Sequence, residues 1–264
     1  MENVEIIKLW DKTPEYDPEK GLEEPCVLAY PVKDAKKCVL VIPGGAYCFR
    51  AEEHEGTKLA ALFNKNGITA FVLRYRHHPY KHPIPQLDVN RAVRVVRSLA
   101  GKYGYEPDQI GVMGFSAGGH LAMTAATRFD YGRDDGDDID KISCRPDLCM
   151  LCYAVTIIGG EFTHMESSVN LLGENFDKNL AAELSCQNAV RDDTPPCFIW
   201  ATAPDDVHVE NSILMGMALS KKKIPFELNI YPYGPHGLST AEGVPLVSSW
   251  TKLCIDFINH HFKK

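Results

Sequence analysis

The stretch Ile110-Gly111-Val112-Met113-Gly114-Phe115-Ser116-Ala117-Gly118-Gly119-His120-Leu121-Ala122 decides how this chain is read. Its first four residues form a short apolar run of the kind a buried strand shows. From Ala117 onward, small and apolar residues continue without a proline to 128 at helical spacing. Between the two runs, Gly114-x-Ser116-x-Gly118 places a serine on a sharp strand-to-helix turn, where flanking residues must lack Cβ atoms so that neighbouring segments can approach. The helix that follows directs its amino terminus at the same point, where backbone N–H groups and the helix dipole favour developing negative charge. Such a turn presents a nucleophile, and it requires the remaining parts of a site elsewhere in the sequence.

A serine hydroxyl is a poor nucleophile at neutral pH, so it needs a base, and the base needs an orienting group. Of the ten histidines, His236 lies in Tyr231-Pro232-Tyr233-Gly234-Pro235-His236-Gly237, just past the last strand-like run, in a turn fixed by Gly and Pro. His260 and His261 end the final helical segment. His77, His78 and His82 lie in a Pro-rich connection that reads as surface, and His120 reads as packing or hydrogen bonding beneath the nucleophile. The orienting acid should follow the run Phe198-Ile199-Trp200-Ala201, where Asp205 and Asp206 compete; His208, in the same loop, reads as the start of a helix. The order Ser116, acid, His236 is the one expected when the nucleophile sits on such an elbow. Charge building on a substrate carbonyl oxygen needs donors aimed in advance. The Ala117 N–H is one, and the loop 41–47, with its Gly44-Gly45 pair, should supply the others.

Outward from these segments, apolar or β-branched runs at 4–9, 26–30, 38–42, 69–74, 110–113, 148–155, 198–201 and 226–231 read as eight strands. Helical spacing covers 54–65, 87–103, 117–128, 210–221 and 246–261, less regularly 179–189. The alternation from Cys38 onward implies an α/β fold with a mostly parallel sheet and helices on both faces. The first two strands, with no helix between them, should pair antiparallel at one edge. The acidic segment 130–141 holds six aspartates but places Arg133 where a calcium loop needs an oxygen ligand, and reads as a solvated loop. The irregular segment 159–178 is placed to border the active site as a short cap or loop.

A formal charge of −7, from 28 basic and 35 acidic residues, argues against a nucleic-acid partner. No apolar run reaches the roughly 18 residues of a membrane span, and the first residues lack the pattern of a secretory leader. Nine cysteines without framework spacing read as free thiols in a reducing, cytoplasmic setting. Cys149-x-x-Cys152 sits inside a strand run, where the two side chains point to opposite faces. Neither metal nor cofactor is expected.

Taken together, these residues resemble an α/β-hydrolase of the esterase and lipase branch that includes carbohydrate acetyl esterases and feruloyl esterases. Pro43-Gly44-Gly45-Ala46-Tyr47 is similar to that branch's Pro-Gly-Gly-Gly-Tyr segment, and residues 111–122 to its elbow. Asn170-Leu171-Leu172-Gly173-Glu174, Asp193-Thr194-Pro195-Pro196-Cys197-Phe198, Val209-Glu210-Asn211-Ser212 and Tyr233-Gly234-Pro235-His236-Gly237-Leu238 extend the likeness along most of the chain. The resemblance implies a single hydrolase domain over 1–264 and oxyanion donors at Gly45, Ala46 and Ala117, and it favours Asp205 as the acid. Ala46 replaces the branch's third glycine, which fits a negative φ there. Pro43 stands where many relatives have His, so hydrogen bonding to the loop must come from another residue. The function implied is hydrolysis of short-chain acyl esters, with acetylated sugars or xylo-oligosaccharides as the favoured small-molecule substrates and Tyr47, Tyr80 and His82 near the sugar. An arylformamidase or small-peptide hydrolase would use the same residues, and a catalytically silent binding module would keep only the fold.

Overall fold

The computed structural model describes residues 4–262. Eight strands, β1 (Glu5–Lys8), β2 (Cys26–Tyr30), β3 (Cys38–Ile42), β4 (Thr69–Arg74), β5 (Ile110–Phe115), β6 (Leu148–Cys152), β7 (Cys197–Thr202) and β8 (Phe226–Tyr231), form one sheet in the order β1-β2-β4-β3-β5-β6-β7-β8. β1 pairs antiparallel with β2, and β2 with β4, whereas all pairs from β4 to β8 are parallel. The mostly parallel sheet and its antiparallel edge follow the sequence expectation. The central strands are buried on both faces, which is why they read as unbroken apolar runs.

Alternation along each strand divides the core into two layers. Leu40, Val112, Cys149 and Leu151 pack with Val89, Val93 and Val96 of α2 (Ile84–Ser98), Leu121 and Ala125 of α4 (Ala117–Thr127) and Met215 of α7 (Glu210–Lys221). On the other face Val39, Val41, Met113 and Cys152 meet Leu59 and Phe63 of α1 (Lys58–Lys65) and Trp250 and Ile258 of α8 (Trp250–His261). There Trp200 and Trp250 stack with centroids 4.9 Å apart. Each large side chain so buried contributes about 1.5–3 kcal/mol. Cys149 and Cys152 fall in opposite layers, as strand geometry requires.

Several expected boundaries shift. The apolar run 148–155 leaves the sheet after Cys152, because Tyr153 adopts a φ of 37°. The long helix begins at Ile84, with Pro85 in its first turn, and gives way after Ser98 to the short α3 (Ala100–Tyr103). Segment 159–178 is more regular than its sequence reading, since it holds α5 (Met165–Leu172) and the start of α6 (Lys178–Leu184). The acidic stretch is not simply a solvated loop: Asp137 pairs with Arg91 at 2.6 Å, Asp130 with Arg94, and buried Asp140 with Arg91 and Arg133. Among the described residues, no helix is long and apolar enough to cross a membrane.

Candidate active site

β5 ends at Phe115 and α4 begins at Ala117, leaving Ser116 between them at φ 52°, ψ −122°. This conformation is sparsely populated for a residue with a Cβ, and the surrounding packing holds it. A Cβ on Gly114 would lie 2.1 Å from the Gly118 carbonyl oxygen, and one on Gly118 would lie 2.3 Å from that of Ile42. The glycines thus let the helix start press against both its own strand and the end of β3. Beyond β6, the Cys152 carbonyl accepts from Ser116 N and Val155 N donates to the Ser116 carbonyl, both at 3.0 Å, which pins the turn.

Three groups meet above the sheet's carboxyl edge. Ser116 Oγ lies 2.8 Å from His236 Nε2, and His236 Nδ1 lies 2.7 Å from Asp205 Oδ1. The Asp205 side chain is 1% exposed. Its Oδ1 also accepts the Val207 N–H at 2.8 Å, a local turn that aims the carboxylate at the imidazole. Asp206 is exposed and turned to solvent, so the geometry brings Asp205, of the two competing acids, to His236. His208 is also exposed and lies just before α7. With an acceptor carboxylate at Nδ1, the neutral ring carries its proton there and leaves Nε2 to accept from the serine.

The loop after β3 differs from its expected conformation. Ala46 has a φ of 51° and Tyr47 of 57°, following Gly45 at 124°. The negative φ expected at Ala46 is therefore wrong; an alanine there accepts a cost of order 1–3 kcal/mol because its neighbours over-determine the turn. Asn170 Nδ2 of α5 donates to the Ala46 carbonyl at 2.9 Å, His78 N to the Tyr47 carbonyl at 2.8 Å, and Cys48 N to the Gly45 carbonyl at 2.8 Å. The bonding that Pro43 does not supply comes from Glu55, whose Oε2 accepts the Gly44 N–H at 2.8 Å. Among the described residues, the N–H groups of Gly45, Ala46 and Ala117 donate to no other group. Gly45, Ala46 and Ser116 line one cleft of ≈ 320 Å³ with His236.

Glu55 was not legible as a site residue. It is buried, accepts from Tyr153 Oη at 2.7 Å, and burial pushes its carboxyl above the usual range against the pull of its two hydrogen bonds. Tyr153 Oη in turn accepts from Ser239 N at 2.9 Å, and its ring stands edge-on to His236 with centroids 4.9 Å apart. Glu55 and Tyr153 thus tie the loop after β3 to the loop carrying His236. His54 Nε2 adds a second tie, donating to the Gly237 carbonyl at 2.7 Å.

His120 is buried beneath the elbow, as its position suggested. Its Nε2 faces the Leu184 carbonyl at 2.9 Å, which can only accept, so the proton is on Nε2 and Nδ1 accepts from Tyr47 Oη at 2.7 Å. Burial lowers its pKa to about 4, which keeps the ring neutral. Tyr47 is therefore a structural clamp, not a sugar contact. Tyr80 is likewise buried and bonds the Asp17 backbone, and neither it nor His82 lines the cleft. Segment 159–178 supplies the lining instead, through His164 and Glu166. Among the described residues, no group of three or more His, Cys, Asp or Glu is placed to hold a metal ion.

Comparison with known proteins agrees with this architecture. The BD-FAE family model matches residues 28–219. Endo-1,4-beta-xylanase B of Butyrivibrio fibrisolvens is 42% identical over 234 residues, covering 86% of this chain and 36% of that protein. The acetylxylan esterase of Xylanibacter ruminicola is 34% identical over 212 residues, covering 78% of this chain and 42% of its own length. The chain thus spans less than half the length of both curated relatives. A crystal structure of an acetyl ester-xyloside bifunctional hydrolase from Caldicellulosiruptor lactoaceticus superposes with a TM-score of 0.93 at 45% identity, covering 97% of this chain and 96% of that one. With its strand order, its serine elbow and the family match over most of its length, the chain belongs to the BD-FAE family and has the α/β-hydrolase fold.

Proposed function

We propose that this protein is a serine carboxylic-ester hydrolase acting on short-chain acyl esters, with acetylated sugars or xylo-oligosaccharides as substrates. The observation that carries this reading is the continuous row from Ser116 Oγ through His236 to Asp205, with links of 2.8 and 2.7 Å. Ser116 Oγ attacks the ester carbonyl while its proton passes to His236 Nε2. Asp205 holds the ring and stabilises the imidazolium. The Gly45, Ala46 and Ala117 N–H groups receive the oxyanion, each donor contributing on the order of 3–4 kcal/mol. Collapse of the tetrahedral intermediate breaks the bond to the alcohol oxygen, which takes the proton from His236. A water molecule, deprotonated by His236, then cleaves the acyl-enzyme and restores Ser116.

The substrate class draws support from the names of the Xylanibacter and Caldicellulosiruptor relatives, an acetylxylan esterase and an acetyl ester-xyloside hydrolase. Segment 159–178 serves as a short cap in this reading, because it contributes His164 and Glu166 to the cleft and Asn170 to the loop after β3. Eight buried cysteines and exposed Cys48, all unpaired, suit a cytoplasmic, reducing location. The reading is tested by hydrolysis rates across acetyl, butyryl, octanoyl and feruloyl esters, acetylated xylo-oligosaccharides and N-formylkynurenine. It predicts acetate release from the oligosaccharides. Turnover of N-formylkynurenine alone would move the protein to the arylformamidases.

A further inference from the structure

The cleft around Ser116 has two groups of lining residues that the reaction steps do not use. One is Phe49, a residue 57% exposed although it belongs to the tightly bonded loop after β3. Its N–H donates to the Gly45 carbonyl at 3.1 Å, and a Cβ on Gly45 would lie 2.3 Å from the Phe49 carbonyl oxygen. The aromatic ring is thus carried by the same backbone that presents the Gly45 and Ala46 N–H groups. An exposed phenyl ring held on rigid backbone at a cleft is a flat apolar surface without a protein partner for that face.

The other group is His164 and Glu166, at the start of α5. His164 Nδ1 caps this helix by accepting the Ser167 N–H and lies 2.8 Å from Ser167 Oγ, so the proton of the neutral ring is on Nε2. Nε2 makes no hydrogen bond to another described residue, since the ring is held through Nδ1 alone. His164 lines the same cleft as His236, the group that protonates the departing alcohol. Beside it, Glu166 is exposed and supplies an acceptor carboxylate.

One donor, one acceptor and one apolar ring are complementary to a pyranose, whose neighbouring hydroxyls both donate and accept and whose C–H face is apolar. We infer that Phe49, His164 and Glu166 form the subsite that holds the alcohol part of the ester and selects a polyhydroxylated ring over an alkyl alcohol. This rests on the esterase reading above.

The test is the ratio of kcat/KM for acetylated xylo-oligosaccharide to that for ethyl acetate, two substrates with the same acyl group. It is measured for the wild type, Phe49→Ala, Glu166→Ala and His164→Asn; asparagine keeps the helix cap but removes the reach of Nε2. The ratio is expected to fall about tenfold in Phe49→Ala and about fivefold in each of the other two. The preference between ethyl acetate and ethyl butyrate should stay within about twofold. Unchanged ratios in all three variants, or changes confined to the acetate-to-butyrate preference, overturn the subsite while leaving the esterase reading in place. A wild-type protein that hydrolyses neither acetate overturns the esterase reading and the subsite with it.

Discussion

Acidification should weaken this fold through His120. In an unfolded chain a histidine titrates near 6.5, whereas burial under the elbow lowers His120 to about 4. Between these values the unfolded chain binds a proton that the folded protein does not, so stability is fully present above 6.5 and is lost as pH falls through the window. Its contribution amounts to about 2 kcal/mol lost by pH 5 and about 3 kcal/mol by pH 4. His120→Gln removes the titration while keeping an amide able to reach toward Leu184. At pH 7.5 the variant should be less stable by about 1–3 kcal/mol, because Tyr47 Oη loses its acceptor in a dry site. Urea unfolding of both proteins, followed by tryptophan fluorescence at pH 7.5 and 5.0, measures the difference, and other titrating groups largely cancel. The wild-type advantage should shrink by about 2 kcal/mol at the lower pH. Parallel losses in the two proteins would exclude His120 as the group whose titration weakens the fold.

Asp205→Asn should lower kcat by roughly 10²–10⁴-fold and Asp206→Asn by less than about threefold in an acetate-release assay, since only Asp205 meets His236. Asn170→Ala should cut kcat about three- to tenfold with little change in melting temperature, because Ala46 loses one of the contacts that fix its left-handed backbone. Catalytic efficiency should fall at least about tenfold from acetyl or butyryl to dodecanoyl esters, since the cleft is small, ≈ 320 Å³.

The fold was legible because burial writes itself into sequence: strands buried on both faces appear as apolar runs, and their order follows from the helices between them. The elbow was legible for a steric reason, as only glycine fits at 114 and 118 beside Ser116. Less visible was whatever depends on contacts distant along the chain. Glu55 falls in a helical stretch where a carboxylate reads as solvated, yet it lies against Gly44 and Tyr153, which is 98 residues away. The helix α5 was missed because its buried Ser167 and Ser168 interrupt the apolar pattern. The backbone of Ala46 is set by Asn170 and by its neighbouring loop, and an alanine in the sequence carries no sign of a positive φ. Tyr47 and Tyr80 misled for the same reason: an aromatic near a motif reads as a ligand contact, whereas each is buried with its hydroxyl bonded inside the protein.

In the proposed reaction Ser116, activated by His236, carries the acyl group. Labelling with a fluorophosphonate probe, followed by intact mass and peptide mapping, tests it most directly. One adduct per chain is expected, on Ser116, with labelling abolished in Ser116→Ala and slowed by at least about 100-fold in His236→Ala. An unlabelled wild-type protein, or an adduct on any other residue, would contradict it.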